Sequence, residues 1–259
     1  MVKVKDIAAI MEKLAPKALA EPWDNVGLLL GRASAHITKV LLALDMTEET
    51  VAQAKAMGAG LIITHHPAIF KPLKELGEAV WQQELLLQLA EAGIAVYSSH
   101  TNLDCAPEGV NTVLAARLGL EQLQPLDSNN GLGRIGCLPK PMTLKDFAQQ
   151  VKEALGAAYV AYANGGRPVE RVAVCGGAGS DLWALALAQG ADTLVTGDVK
   201  YHSAQEAAFS GLNIVDAGHQ PTELPVLNKV KEYLEQEALL AGYSLEISIA
   251  KESLLLQYV

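Results

Sequence analysis

The chain has 259 residues, half of them apolar, so it is long enough to fold into one large domain or two modest ones, each with its own core. The formal net charge of −9 argues against non-specific nucleic-acid binding, because phosphates favour clustered positive charge. Three widely spaced cysteines without a C-x-x-C pair are typical of reduced thiols in a cytoplasmic protein, and no stretch approaches the roughly 20 apolar residues that span a bilayer.

The first part of the chain alternates predicted helices and strands. An amphipathic helix ends near Pro16, and a polar cluster that begins at Trp23 leads into a short apolar run. We interpret Trp23 as a packing anchor, and the alternative is a contact to a ligand. The run 39–44 predicts a buried strand, and 47–57 predicts a helix with a threonine cap. With the strand that follows, this is a βαβ unit, so we expect parallel strands and a right-handed crossover.

Two adjacent histidines mark the end of that next strand. The apolar run 61–63 predicts a central strand of an α/β sheet, and His65, His66 and Pro67 follow it. Pro67 withholds a backbone N–H, so the strand is expected to end there, at the edge where open α/β sheets bind ligands. Adjacent side chains on a strand leave opposite faces, so we expect the two imidazoles to serve two neighbouring ions. The alternative is a histidine pair on a surface loop.

A second polar cluster, His100 to Asp104, follows a strand predicted for 94–99. That strand comes after a helix predicted near 78–91, and a further helix is expected to open at Pro107. Asp104 would then lie just before a helix amino terminus. The helix dipole at that position favours the ionised carboxylate, which is the form that binds metal.

The turn-rich segment 123–142 interrupts this alternation. We therefore expect an α/β fold with a first lobe over 1–125 and a second lobe over 126–259, and we expect the C-terminal helix and strand to pack on the first lobe. The alternation resumes with a predicted helix over 143–155 and predicted strands over 157–163 and 171–175.

A glycine-rich turn, CGGAGSD at 175–181, follows a predicted strand and precedes a helix. Its amides could cradle an anion such as a triphosphate, and the alternative is a tight turn capped by Ser180. The turn matches neither G-x-G-x-x-G nor a Walker sequence, which argues against a dinucleotide fold or a P-loop enzyme. Nothing local lowers the pKa of Cys175, so we do not expect it to be a nucleophile.

The second half of the chain repeats part of the first. AKAMGAGLIITHHPAIF, 54–70, aligns without a gap with ALAQGADTLVTGDVKYH, 186–202. The polar residues that correspond in the two halves are His65 and Gly197, His66 and Asp198, His100 and His219, and Asp104 and Glu223. We interpret this pattern as a duplicated βαβ-like unit, with polar strand ends that face each other across a cleft between two related lobes. Chance similarity of two βα turns is the alternative.

Eight polar side chains collect at the predicted strand ends. They are His65, His66, His100, Asp104, Asp198, His202, His219 and Glu223. Imidazoles and carboxylates are ligands for zinc, iron, manganese or cobalt, and this mixture does not choose among them. Two ions about 3.5 to 4 Å apart would place a hydroxide for attack on carbon or phosphorus. His36, the histidine outside these turns, is interpreted as a surface residue.

Five ordered motifs resemble the Nif-three-like dinuclear metal family, whose bacterial members are commonly labelled type 2 GTP cyclohydrolase I. The motifs are WDNVGLLLG near the start, THHP at 64–67, SxHTNLD at 98–104, TGDxKYH at 196–202 and GHxxTE at 218–223. The resemblance implies a two-lobed subunit in which His65, His66, Asp104, His219 and Glu223 hold two metal ions between the lobes. It implies a homohexamer built as a trimer of dimers. It also leaves His100, Asp198 and His202 beside the metals, to orient ligands or transfer protons.

The family label implies a hydrolase in which a metal-bound hydroxide opens the imidazole ring of GTP and formate is lost, with His100 or His202 moving protons. The expected cofactors are two divalent transition-metal ions per subunit, iron, zinc or manganese. The expected partner is a small-molecule substrate, GTP or another nucleotide, and no membrane. Because fold does not fix reaction, two alternatives stay open: a di-metal phosphoesterase, and a non-enzymatic metal-binding, metal-delivery or regulatory scaffold.

Overall fold

The structure is a computed structural model that describes residues 2–256. The chain divides into two compact units, the first over 2–103 and 227–253 and the second over 104–226 and 254–256. The chain thus leaves the first unit earlier than the lobe boundary expected at 125, and it returns to that unit for the C-terminal helix and strand.

The elements are numbered in chain order within residues 2–256. The strands are β1 (Val2–Lys3), β2 (Gly27–Leu30), β3 (His36–Ile37), β4 (Lys39–Ala43), β5 (Leu61–Thr64), β6 (Ala95–Ser98), β7 (Glu121–Pro125), β8 (Arg134–Met142), β9 (Ala161–Ala163), β10 (Val169–Val174), β11 (Thr193–Thr196), β12 (Asn213–Asp216) and β13 (Glu246–Ile249). The helices are α1 (Val4–Leu14), α2 (Glu48–Met57), α3 (Trp81–Glu91), α4 (Thr101–Cys105), α5 (Val110–Arg117), α6 (Leu144–Leu155), α7 (Trp183–Ala188), α8 (Tyr201–Phe209), α9 (His219–Glu223) and α10 (Val226–Leu240).

The first unit is built on a five-stranded sheet with the order β13-β4-β5-β6-β2. The first four of these strands run parallel, and β2 pairs antiparallel with β6 at the edge. The parallel pairing of β4 with β5 confirms the predicted βαβ unit. Thr47 caps α2 by accepting a hydrogen bond from the amide of Thr50, as its sequence position predicts. Every residue of β5 and β6 is buried, as expected of parallel strands covered on both faces.

The second unit contains a six-stranded sheet with the order β7-β8-β10-β11-β12-β9. The strands β10, β11 and β12 are parallel and central, and the flanking strands are antiparallel. Phe147 and Val151 of α6 pack with Val172, Val195 and Val215 of these central strands in one buried cluster. Thr143 caps α6, so this helix matches the prediction.

The segment 123–142 is predicted to be turn-rich, but nine of its residues form β8. One glycine, Gly136, and two prolines give this strand the composition of a loop. The prolines lie between Cys137 and Met142, the positions on either side of a register shift in the pairing with β10, where ladder hydrogen bonds are interrupted. The strand predicted over 157–163 is also shorter than expected, since only β9 is extended.

The aligned segments of the two halves have the same local structure. Strand β5 and strand β11 occupy corresponding positions, and each follows a helix that ends near a glycine in the left-handed region, Gly58 at φ +69° and Gly190 at φ +82°. Each strand lies between two parallel neighbours in its own sheet. Within residues 2–256, no helix combines the length and the apolar character needed to cross a bilayer.

Candidate metal centre

Three histidines of the first unit lie together at the carboxyl ends of two adjacent parallel strands. His65 and His66 follow β5, His100 follows β6, and their ring centroids are 5.0 to 5.7 Å apart. One potential ligand atom of each residue lies within 4.8 Å of those of the other two. We call these residues the histidine group. It occupies the edge of the sheet at which the sequence predicted a ligand site.

The adjacent imidazoles converge, so the expectation that they point to opposite faces is wrong. Strand β5 ends at Thr64, and both His65 and His66 lie in the bend that follows it. The alternation of side chains along a strand therefore does not apply to them. The histidine group has the spacing to contact one ion together.

Each imidazole of the histidine group is oriented through Nδ1. The acceptors are Ser99 O for His65 at 2.9 Å, Asp45 Oδ1 for His66 at 2.9 Å and Asp24 Oδ1 for His100 at 3.0 Å. Carbonyl and carboxylate oxygens only accept hydrogen bonds, so Nδ1 carries a proton. In the neutral ring the lone pair is then on Nε2, which is the atom that would bind a metal.

The carboxylate of Asp24 is enclosed, with no side-chain exposure. It accepts hydrogen bonds from His100 Nδ1 and from both the amide and the hydroxyl of Thr101. Burial by itself raises the pKa of Asp24, but the hydrogen bonds from His100 and Thr101 outweigh it and bring the pKa well below its usual value. Asp24 is therefore a carboxylate, the form that fixes His100.

The second acceptor, Asp45, is itself held by the C-terminal part of the first unit. Glu252 accepts hydrogen bonds from the amides of Leu44 and Asp45, both at 2.8 Å. Burial raises the pKa of Glu252, and the two amide bonds oppose that rise. Neither Asp45 nor Glu252 was among the site residues predicted from the sequence. Asp45 could have been predicted, because it directly follows the predicted strand 39–44 and so lies at the same sheet edge as His66.

In the second unit, His219 and Glu223 lie one turn apart on α9. His219 Nδ1 is 2.7 Å from Asp198 Oδ2, and His219 Nε2 is 3.3 Å from Glu223 Oε2. Asp198, placed beside the metals by the resemblance, is thus the residue that orients His219. Its backbone has φ +51°, a left-handed conformation that aspartate tolerates better than most residues. Glu223 is only 3% exposed.

Asp104 is also buried, but it does not lie before a helix as predicted; it is part of the short helix α4. The reason is remote in the sequence, because Asp24 accepts a hydrogen bond from the amide of Thr101, the first residue of α4. The carbonyl of Asp104 accepts from Asn111 Nδ2 at 3.0 Å, and Asn111 Oδ1 accepts from the amide of Gly176 at 2.9 Å. Asn111 therefore connects α4 to the glycine-rich turn.

The glycine-rich turn does not present its amides as an anion cradle. The amide of Gly177 donates to Thr222 Oγ1 at 3.0 Å, and that of Gly179 donates to Thr196 Oγ1 at 2.9 Å. Together with Gly176, three of its amides are bonded within the second unit. The turn instead makes room for the side chain of Glu223, because a Cβ on Gly177 would overlap Glu223 Oε1. The phosphate interpretation is therefore wrong for these amides.

Cys175, at the start of this turn, is buried and has a raised pKa. Burial is the main cause, and the charges of Asp104 and Glu223 add to it. The thiol stays protonated, in agreement with the prediction that it is not a nucleophile. In the second unit, one carboxylate oxygen of Asp104 lies within 4.8 Å of one of Glu223.

Two further histidines, His202 and His36, are exposed. His202 is exposed in the first turn of α8, where its ring contacts that of Tyr201 at 5.4 Å between centroids. Among residues 2–256 it belongs to no group of three potential metal ligands, and its role in proton transfer stays a prediction. His36 is exposed on β3, in agreement with its interpretation as a surface residue.

The donor atoms of both units suit a divalent transition metal. Imidazole Nε2 atoms with carboxylate-bonded or carbonyl-bonded Nδ1 atoms are the usual state of metal-binding histidines, and buried carboxylates complete such sites. A cation would also offset the cost of burying Asp104 and Glu223. The residues present therefore fit a metal.

Comparison with known proteins gives a consistent result along the chain. A family model described as Duf34/NIF3 (NGG1p interacting factor 3) matches residues 2–253. A protein of Clostridium perfringens called GTP cyclohydrolase 1 type 2 homolog is 37% identical over 257 residues, covering 97% of each chain. A protein of the same name from Lactococcus lactis is 42% identical over 84% of this chain and 86% of its own. The crystal structure of a Staphylococcus aureus hypothetical protein superposes with a TM-score of 0.93 at 30% identity, covering 99% of each chain.

Proposed function

This chain belongs to the Duf34/NIF3 family, and from that premise we propose that it is a metal-dependent hydrolase. We further propose two related α/β lobes with two divalent transition-metal ions, iron, zinc or manganese, in the cleft between them. The proposed ligands are His65, His66, Asp104, His219 and Glu223. The observation that carries the proposal is the shared orientation of the imidazoles, each held at Nδ1 so that Nε2 remains as the ligand atom.

In this proposal, bound metal ions supply a Lewis acid that polarises the substrate and activates water. The residues of the chain position them. Asp45 and Asp198 keep the rings of His66 and His219 in one orientation, and the backbone of Ser99 does so for His65. His100 contacts the rings of both neighbouring histidines and is held by a buried carboxylate, so it is placed to hold or move a proton at Nε2.

The names of the similar proteins support a nucleotide substrate. We propose that GTP, or a related purine heterocycle, is opened by hydrolysis at the imidazole ring with loss of formate. This reaction consumes water and requires proton transfer to a ring nitrogen, which His100 can provide. Hydrolysis of a phosphate ester would use the same donor set, so the products must decide between the two reactions.

The test is metal analysis followed by product analysis. Protein isolated without added metal and protein reconstituted with iron, zinc or manganese are assayed for bound metal, and then for formate and phosphate released from GTP. We expect about two ions per chain and formate release. The variant His65→Ala should lose metal and activity, whereas His36→Ala, which removes an exposed histidine, should retain both.

Three other outcomes of this test would each change the proposed function. Release of phosphate without formate would replace the proposed reaction with that of a phosphoesterase. Bound metal that exchanges, passes to an apo-acceptor and supports no turnover would indicate a metal-delivery or regulatory scaffold. A protein that binds no metal under any of these conditions would overturn the proposal as a whole.

We also propose a homohexamer, a trimer of dimers, and a cytoplasmic location. The resemblance carried by the sequence motifs supports the assembly, and three cysteines that form no disulfide support the location. Light scattering of the purified protein would test the assembly, since a monomer or dimer at all concentrations would contradict it.

A further inference from the structure

Two exposed aromatic side chains contact the histidine group in the first unit. Trp23 is 60% exposed and Phe70 is 46% exposed, and their ring centroids are 5.9 Å apart in an edge-to-face arrangement. Each ring also contacts His100, with centroid distances of 6.2 Å for Trp23 and 6.4 Å for Phe70. We call Trp23 and Phe70 the aromatic pair. The prediction that Trp23 is a packing anchor is wrong.

The aromatic pair is held in place although neither residue belongs to a helix or strand. Asp24, next to Trp23, has its carboxylate buried against His100 and Thr101. Asn25 Nδ2 donates to the carbonyl of Ile69, the neighbour of Phe70, at 2.6 Å. The hydrogen bonds of Asp24 and Asn25 thus fix the two loops to each other and to the histidine group.

This arrangement differs from an ordinary exposed aromatic residue. Exposed apolar side chains are common on proteins and need no explanation singly. Trp81, for example, is 56% exposed in the same unit and lines a cavity with Glu48 and Lys55. The aromatic pair combines exposure with a fixed backbone and with contact to a residue of the candidate metal centre. Edge-to-face contacts also occupy less ring surface than parallel stacking, which leaves both rings open to a ligand.

We propose that the aromatic pair is the platform on which the planar heteroaromatic ring of the substrate stacks beside His100, and that this ring is a purine base. The choice of a purine rests on the proposed function; the platform itself rests on the geometry of Trp23, Phe70 and His100. Stacking on fixed aromatic rings is favourable for every nucleobase and needs no matching hydrogen bond. The aromatic pair therefore binds and positions the ring, and groups beyond it perform the chemistry.

The experiment compares binding of GTP with binding of inorganic triphosphate, which lacks the base, by calorimetry on metal-loaded protein. We expect Trp23→Ala and Phe70→Ala each to weaken GTP binding by about 5- to 100-fold and to leave triphosphate binding unchanged. Trp23→Phe, which retains a ring, should lose much less. Bound metal should be the same in all variants. The control Trp81→Ala removes an equally exposed indole and should change none of these quantities.

The proposal and the proposed function fail in different ways. Unchanged GTP affinity in Trp23→Ala and Phe70→Ala, with normal GTP turnover, would overturn the platform and leave the function intact. A loss of assembly in Trp23→Ala without a change in ligand affinity would assign the aromatic pair to a contact between copies and would also overturn the platform.

If the wild-type protein binds no nucleotide, uncharged ring compounds test whether the aromatic pair is a stacking platform. In a Trp81→Phe, Trp183→Phe background Trp23 is the remaining tryptophan, and its fluorescence reports contact with guanine, adenine or quinoline. Quenching by any of these compounds that Phe70→Ala weakens would keep the platform and overturn the assignment of GTP. If none of the three compounds quenches the fluorescence, both the platform and the assignment of GTP are overturned.

Discussion

At the scale of single residues, the candidate metal centre depends on acceptors that fix the Nδ1 atom of each imidazole. A histidine ring can flip and can carry its proton on either nitrogen, so a ligand atom is defined only when the other nitrogen is held. Asp198 does this for His219 from 2.7 Å and Asp45 does it for His66 from 2.9 Å. These partners are as much part of the site as the ligands.

The position of Glu223 depends on a residue without a side chain. Gly177 has φ +62°, and a Cβ there would overlap the carboxylate of Glu223. We expect Gly177→Ala to destabilise the protein by about 1 to 2 kcal/mol through backbone strain and, in addition, to displace Glu223 and weaken metal binding. Urea unfolding and a competition assay with a chromophoric chelator measure the two effects.

The control for this variant is Gly190→Ala. Gly190 has a similar left-handed backbone, φ +82°, but the nearest atom to its added Cβ is 3.9 Å away. It should show the same backbone cost with normal metal affinity. Equal metal affinities in the two alanine variants would contradict the role assigned to Gly177.

Tyr97 provides a prediction about pH. Its hydroxyl is buried, without a hydrogen-bond partner among residues 2–256, and burial together with the charge of Glu12 raises the pKa of Tyr97 to about 12. The folded state therefore holds this proton at pH values where the unfolded state, with a pKa near 10, has lost it. Stability from this group is complete below about pH 10 and falls as the pH rises towards 12.

We expect Tyr97→Phe to remove that loss, so that its stability relative to wild type increases between about pH 10 and 12. At pH 7 the variant should be up to about 1 kcal/mol more stable, because an unpaired buried hydroxyl has been removed. Urea unfolding at pH 7, 10 and 11 measures both effects. Tyr162→Phe, at a tyrosine that is 48% exposed, is the control. A constant difference across this pH range would contradict the prediction.

At the scale of elements, the short helix α9 owes its place to another glycine. Its N-cap residue Gly218 and its first residue His219 lie against Gly197, where an added Cβ would be 2.6 Å from their backbone atoms. This close approach explains why the position that aligns with His65 is a glycine in the second half. The proposed ligands of the first unit directly follow β5, whereas two of those in the second unit, His219 and Glu223, lie one helical turn apart on α9.

Arg134 at the start of β8 joins the elements around Asp104. It is 5% exposed and donates to the carbonyls of Ala106, Gly131 and Gly133 at 2.7 Å each and to the hydroxyl of Thr112 at 2.8 Å. The buried guanidinium has a lowered pKa because of desolvation. It thus ties the loop between α4 and α5 to the β-sheet of the second unit.

We expect Arg134→Lys to destabilise the protein by about 2 to 4 kcal/mol, because an ammonium cannot reach all four acceptors and leaves buried carbonyls unpaired. Metal affinity should fall as well, since Ala106 is two residues from Asp104. Chemical unfolding and chelator competition measure these effects. Arg117→Lys, at an exposed arginine of α5, should be neutral within about 0.5 kcal/mol. A neutral Arg134→Lys would show that the network is dispensable.

At the scale of the whole molecule, metal binding should couple to folding. A ligand that binds only the folded state stabilises it by about 2.7 kcal/mol when present at 100 times its dissociation constant. We expect chelation to lower the melting temperature of the wild-type protein and to have no effect on His65→Ala. Differential scanning calorimetry with and without chelator measures this shift.

The two compact units make this measurement more informative. If the proposed ions are shared by ligands from both units, chelation should lower the melting of both. If one set of ligands holds the metal alone, only the unit that carries it should respond. Melting curves that do not change with metal or chelator would contradict the proposed metal centre.

The sequence by itself determined much of the local architecture. Hydrophobic period and short-range hydrogen bonds, which neighbouring residues specify, predict strands β4, β5 and β6, helices α2 and α6, and the threonine cap of α2. The placement of the histidine pair at a strand end also followed, since parallel strands align their carboxyl ends. The motifs alone were enough to identify the family.

Only the tertiary structure decided how the residues around the site are used. Asp24 caps α4 and orients His100 from more than seventy positions away, the amides of the glycine-rich turn are bonded to threonine and asparagine side chains, and Trp23 is exposed instead of packed. These features depend on contacts between segments that are distant in the chain. A local sequence pattern does not specify which remote group will bond to a given amide or ring nitrogen, or which will cover an aromatic face.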